Sequence, residues 1–125
     1  MLNSEATIEK LTDIKAIKIV LNGALDIDSR KSLHLNTMSL LSIYGYQRLI
    51  IDCRDSELAE NYSIGDSIKM IKYMQNNAFQ KNIKIAFICN EEDGPRKDFV
   101  NIARLSGIDI RHFSDLIEAK TWLLD

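Results

Sequence analysis

Hydrophobic residues in this chain alternate between short continuous runs and longer stretches of helical spacing. The clearest run is Leu49-Ile50-Ile51, inside the segment Arg48 to Cys53. A run that short, bounded by polar residues, predicts a strand buried on both faces. From Ser63 onward, Ile64, Ile68, Ile71, Met74 and Ala78 recur near every 3.6 residues, which predicts a helix to about Ala78 with those five on its buried stripe. The connection between them, Arg54 to Asn61, is too polar for a core. Strand, connection and helix together make half of a βαβ unit.

The remaining chain divides by the same test. Ala6 to Leu11 and Lys15 to Leu25 read as strands around a turn at Thr12-Asp13. Ile17, Ile19 and Leu21 recur with a period of two, and the short link implies an antiparallel hairpin. Asn22-Gly23 interrupts the pattern as a bulge or an early strand end. Asp26, Asp28 and Ser29 can cap a helix whose apolar positions are Leu33, Thr37, Leu40, Leu41 and Tyr44, with Gly45 in the terminating position. Ile83 to Cys89 is a further strand. The acidic loop Asn90 to Gly94 then leads into Pro95, suited to a first helical position, with Phe99, Ile102 and Ala103 facing inward. Ile108 to Phe113 is the last strand, and Ser114-Asp115 caps a helix carrying Leu116, Ala119, Trp122 and Leu123.

The predicted order is β-β-α-β-α-β-α-β-α. This is an α/β chain with a mixed, mostly parallel sheet, an N-terminal antiparallel hairpin and four helices. At 125 residues with no linker, repeat or low-complexity segment, a single domain spanning 1–125 is expected.

Composition narrows the function classes. A net charge of −2, with Lys and Arg dispersed along the chain, argues against nucleic acid as a partner. No apolar run approaches the ~20 residues of a bilayer span, and Glu5 and Glu9 interrupt the N-terminus where a signal peptide would be apolar. Cys53 and Cys89 have no metal-ligand spacing and follow apolar strands. They are expected as reduced, partly buried thiols in a cytoplasmic protein.

No catalytic constellation is evident, so a non-enzymatic protein without cofactor or metal is expected. There is no G-x-G-x-x-G, no G-x-x-x-x-G-K-[ST] and no G-x-S-x-G. His34 and His112 lack metal spacing and are expected at the surface or the core edge. Glu91, Glu92 and Asp93 read as a solvated acidic loop. Asp52 ends the central strand, where open α/β sheets commonly place ligands, so Asp52, Cys53 and Cys89 form a candidate strand-end ligand site. A phosphoacceptor role like that of a receiver domain would also need an acidic pair after the first parallel strand, where this chain has Asn22-Gly23-Ala24. Arg30 and Lys31 lie in the first turn of a helix, which the helix dipole disfavours for cations. A solvated pair is one reading, and an anion-facing or partner-facing helix end is the other.

Three stretches carry a family resemblance. Leu49 to Asp52, Ile83 to Ile88, and the pattern Phe-x4-Glu-Ala-x-x-Trp-Leu over Phe113 to Leu123 resemble the STAS domain, the SpoIIAA-like fold of sulfate transporters and anti-sigma factor antagonists. They also resemble the small bacterial proteins of STAS/SEC14 type. The first resemblance implies a regulatory module that binds another protein. In anti-sigma factor antagonists the loop after the central strand carries Asp-Ser-Ser-Gly, whose first serine is phosphorylated. The counterpart here is Tyr62-Ser63-Ile64-Gly65, in which Ser63 and Gly65 match and the aspartate and second serine do not. The implied recognition loop is Asn61 to Asp66, with Ser63 as phosphoacceptor or ordinary helix cap and Tyr62, Gly65 and Asp66 around it. Lys69 and Tyr73 are expected on the readable helix face. The SEC14-type resemblance implies instead a small apolar or anionic ligand, such as a lipid.

Overall fold

The computed structural model of the protein describes residues 5–24, 26–58, 61–76 and 82–125. Five strands form one sheet in the order β1-β2-β3-β4-β5: β1 Glu5–Leu11, β2 Ala16–Ala24, β3 Arg48–Glu57, β4 Lys84–Ile88 and β5 Ile110–Phe113. β1 runs antiparallel to β2, and every other neighbouring pair is parallel. Lys15, at φ 54, closes the hairpin turn, so β2 starts at Ala16. The helices are α1 Ile27–Tyr44, α2 Ile64–Asn76, α3 Gly94–Leu105 and α4 Leu116–Leu123. This is the mixed, mostly parallel α/β architecture expected. Ala78 and Leu25, the expected ends of a helix and a strand, lie outside the described residues.

Parallel strands added in one direction with right-handed crossovers place all connecting helices on the same face. Accordingly α1, α2 and α3 cover one face over Ile17, Ile19, Leu49, Ile85 and Ile110. α4 alone covers part of the other, over Ala16, Ile50, Ala86 and Ile88. Its terminal carbonyls are met by cations from the sheet. Arg48 Nε donates to Leu123 O at 2.9 Å, and Lys84 Nζ donates to Trp122 O at 2.8 Å, a favourable arrangement at the negative end of a helix dipole.

The caps are local and sequence-encoded. Asp26, Asp93 and Asp115 each accept from the backbone amide three residues on, at 2.7, 3.2 and 2.8 Å. Gly45, at φ 69, ends α1 in a Schellman motif, with Gly45 N–H to Ser42 O and Tyr46 N–H to Leu41 O. Pro95 sits in the first turn of α3, one position after Gly94.

Three expectations are corrected. β3 does not end at Cys53 but continues to Glu57. Val20 pairs with Asp52 and Asn22 with Asp55, so β3 carries an extra residue at Cys53-Arg54, a bulge beyond which Asn22, Gly23 and Ala24 extend the ladder. In α2 the buried positions are Ser67, Ile71 and Met74, whereas Ile64 and Ile68 are 61% and 41% exposed. In α1 the inward side is His34, Thr37, Met38 and Leu41, and Tyr44 is exposed.

Candidate functional site

α2 is turned about its axis relative to its apolar stripe, and this has consequences inside and outside the protein. Inside, the first half of α2 sends in only the small Ser67 and the partly buried Met70. The Ser67 hydroxyl is satisfied by the Tyr62 hydroxyl, so the serine is buried without an orphaned polar atom. The room left open is a cavity of about 100 Å³ between the sheet and α1, α2 and α3. Ile19, Cys53 and Ile85 belong to its closed floor, while Arg30, Leu58 and Tyr62 keep partial solvent exposure and form its rim.

Two arginines line the cavity, both from first turns of helices, and they differ in their partners. Arg96 of α3 is buried and fully engaged. Its Nη1 donates to Asp93 Oδ2 at 2.9 Å, Ser56 O at 3.1 Å and Cys53 O at 3.3 Å, and Nη2 donates to the Ser56 hydroxyl at 2.8 Å. That hydroxyl in turn donates to Cys53 O at 2.9 Å. The network fastens the bulged end of β3 to α3. It also gives Asp93 a structural role, while Glu91 and Glu92 stay exposed.

Arg30 of α1 is different. Its Nε is buried and has no hydrogen-bond partner. The guanidinium carbon lies 5.8 Å from the Tyr62 ring centroid, and no carboxylate among the described residues forms an ion pair with it. Burial pushes this guanidinium below its ordinary pKa, Tyr62 opposes the shift, and the charge of Arg96 adds to it.

The predicted strand-end trio does not meet at one place. Successive residues of a strand point to opposite faces, so Asp52 lies on the α4 side while Cys53 joins the core beneath the helices. Burial works against ionisation of Asp52, but hydrogen bonds and charge from Arg54 prevail and leave its carboxyl below the ordinary value. Arg54 Nε and Nη2 grip it at 3.0 and 2.8 Å. Cys53 and Cys89 are both fully buried free thiols rather than partly buried ones. Cys53 lines the cavity and donates to Ile88 O at 3.1 Å. Burial raises both thiols, Cys53 to about 12.

Outside, the predicted recognition loop is split. Ser63 is exposed and forms half of a capping box, its N–H and hydroxyl donating to Asp66 Oδ2 at 2.9 and 3.3 Å. Tyr62 turns inward to the cavity. Lys69 is exposed, but Tyr73 is half-buried against α1, its ring 5.9 Å from that of His34 in an edge-to-face pair with Lys31 above it. His34 is therefore a buried residue between two helices. Among the described residues, no three His, Cys, Asp or Glu side chains cluster as metal ligands.

The architecture has close structural counterparts. A crystal structure of an anti-sigma factor antagonist from Mycobacterium paratuberculosis superposes with a TM-score of 0.64 at 15% identity, covering 98% of this chain and 96% of that one. A protein with a SpoIIAA-like fold from Shewanella loihica gives 0.61 at 18% identity, covering 98% and 95%. This chain has the SpoIIAA-like fold of STAS domains. No family model and no curated protein sequence matches it. At these identities the likeness concerns the fold. No helix among the described residues of this SpoIIAA-like domain is long and apolar enough to cross a membrane.

Two features of the site were outside the sequence reading. Arg96 drew no reading after Pro95, and Leu58 fell within a connection read as polar. The available signal was the charge at helix starts: Arg30 and Arg96 both sit in first turns, where a cation needs some local compensation.

Proposed function

We propose that this SpoIIAA-like domain is a non-enzymatic regulatory module that binds another protein through the start of α2. The observation that carries this reading is the exposure of Ile64 and Ile68, at 61% and 41%, directly after the exposed cap Ser63. Two branched apolar side chains one helical turn apart stand on one face and are suited to anchor a partner at a desolvated centre. Exposed Lys69 adds a polar contact at the same end. The structural counterpart from Mycobacterium paratuberculosis is by name an antagonist of a protein factor, and a protein partner is the part of that description carried over here.

Ser63 gives this surface a point of control. A phosphate there would add about −1.5 to −2 charges next to the Asp66 carboxylate that now accepts from the Ser63 amide. Repulsion would release the cap and change the surface that Ile64 presents. The test is affinity capture from native lysate with wild type, Ser63→Glu and the double variant Ile64→Asp/Ile68→Asp. A partner retained by wild type and lost from the double variant supports the surface, and a changed yield with Ser63→Glu supports the switch. Indistinguishable capture by all three would sink the proposal.

A further inference from the structure

Beneath the surface considered above lies a chemically separate feature, the cavity rimmed by Arg30. Its floor and walls are almost wholly apolar, contributed by residues such as Ile19, Phe87 and Met74. Its rim carries a largely buried cation whose Nε has no partner. A buried donor of a cation left without an acceptor carries an uncompensated desolvation cost. The neighbouring Arg96 shows what compensation looks like in this same fold: one carboxylate, two carbonyls and a hydroxyl surround it. Arg30 has no carboxylate or carbonyl partner among the described residues; the Tyr62 side chain interacts with it, and its Nε stays unmet. It also stands in the first turn of α1, where the helix dipole adds to its positive potential. An anion at the rim would relieve both.

We propose that the cavity binds a small monocarboxylate, with the carboxylate paired to Arg30 and the hydrocarbon body seated over the Ile19 and Ile85 floor. A carboxylate matches the fork of a guanidinium better than a rounder anion does. Arg96 also lines the cavity, but its guanidinium is already held by Asp93, Ser56 and Cys53, which leaves Arg30 as the cation with an unmet donor for the anion. Size follows from volume. An apolar cavity of about 150 Å³ accommodates benzene, so ≈ 100 Å³ suits a body of about four or five carbons. Such a body fits whether the molecule is a short free acid or the head end of a fatty acid whose tail leaves through the rim at Leu58 and Tyr62. This site does not depend on the protein-binding role of α2, since its residues face inward and Ile64 and Ile68 face outward.

The test is titration of the full chain by calorimetry and methyl NMR with hexanoate, hexan-1-ol, palmitate and inorganic phosphate. Hexanoate is expected to bind one to one and to shift the methyl signals of Ile19 and Ile85, with hexan-1-ol weaker by about tenfold or more. Arg30→Gln, with its fold checked by circular dichroism, is expected to reduce hexanoate affinity to that of hexan-1-ol and to leave the alcohol unaffected. Palmitate binding more tightly than hexanoate identifies a fatty acid as the ligand, and the reverse order a short acid. Either result supports the site. Equal binding of hexanoate and hexan-1-ol to wild type overturns the proposal, as does phosphate competing as well as hexanoate. Absence of heat and of methyl shifts with every probe overturns it too.

Discussion

The Arg96 guanidinium donates to the Ser56 hydroxyl at 2.8 Å across 40 residues of chain. It ties the first turn of α3 to the stretch of β3 beyond the bulge, where polar residues alone would not hold a strand in place. Because Arg96 and Asp93 are both largely buried, removing one partner leaves the other charge without compensation. Arg96→Met is expected to destabilise the fold by about 3–5 kcal/mol. Ser56→Ala, which removes one acceptor and one donor, is expected to cost about 1–3 kcal/mol. Urea unfolding of both single variants and the double variant checks this. The two losses should not add, since the residues share one network; strict additivity would mean that they act separately.

The orientation of α2 makes a second set of expectations. Ile71 is buried at 3% exposure, so Ile71→Ala should cost about 2–5 kcal/mol. Ile64→Asp and Ile68→Asp should each change stability by no more than about 0.5 kcal/mol. Had the apolar stripe marked the buried face, all three would be severe. Chemical denaturation midpoints separate the two orientations directly.

That difference shows what the sequence could and could not reveal. Strand positions were legible because Ile17, Ile19 and Leu21, or Ile83 to Ile88, bury side chains with a simple local period. The caps at Asp26 and Asp115 were legible because capping acts within three residues, whereas Asp93, the cap of α3, read as part of a solvated acidic loop. The facing of α2 was not, since Ile64 and Ile68 continue the spacing of the buried Ile71 and Met74, and spacing alone does not show that they turn to solvent. Burial of Ser67 instead depends on Tyr62, whose hydroxyl supplies its partner only once the loop has folded. The extension of β3 was hidden for a similar reason. Arg54 to Glu57 has no apolar pattern, and its strand character comes from backbone pairing with Asn22 to Ala24 and from Arg96 on a distant helix. The separation of Asp52 from Cys53, by contrast, follows from the period of two and needs no tertiary information.

The cysteines provide a test that depends on pH. Burial raises Cys53 from an ordinary 9.0 to about 12 and also raises Cys89, so neither offers a thiolate at neutral pH. Iodoacetamide at about pH 8 should leave both unmodified in the folded protein and modify both in urea, as read by intact mass. The folded state keeps its thiol protons where the unfolded state releases them. Their contribution to stability is therefore fully present below about pH 9 and declines as pH rises toward 12. Cys53→Ala should flatten that alkaline decline while itself lowering stability at neutral pH by leaving a small void.

Asp52 and Arg54 act at the acidic end. Burial alone would raise the Asp52 carboxyl, and the two Arg54 side-chain contacts with the backbone amide of Arg54 reverse the shift. The folded carboxyl thus holds its proton less tightly than the unfolded one. Its contribution is present above the unfolded value of 3.8 and is lost as pH falls through the lower folded value. Arg54 is 36% exposed, so solvent screens the pair and the contribution is expected to stay under about 1 kcal/mol. Asp52→Asn should lower the urea midpoint near pH 7, and the gap to wild type should close as the solution is taken to about pH 2. Arg54→Gln should show the same closing gap, because it removes the cation responsible for the shift. A gap that stays constant with pH in both variants would mean that shape and hydrogen bonding at this strand position matter and the charge does not.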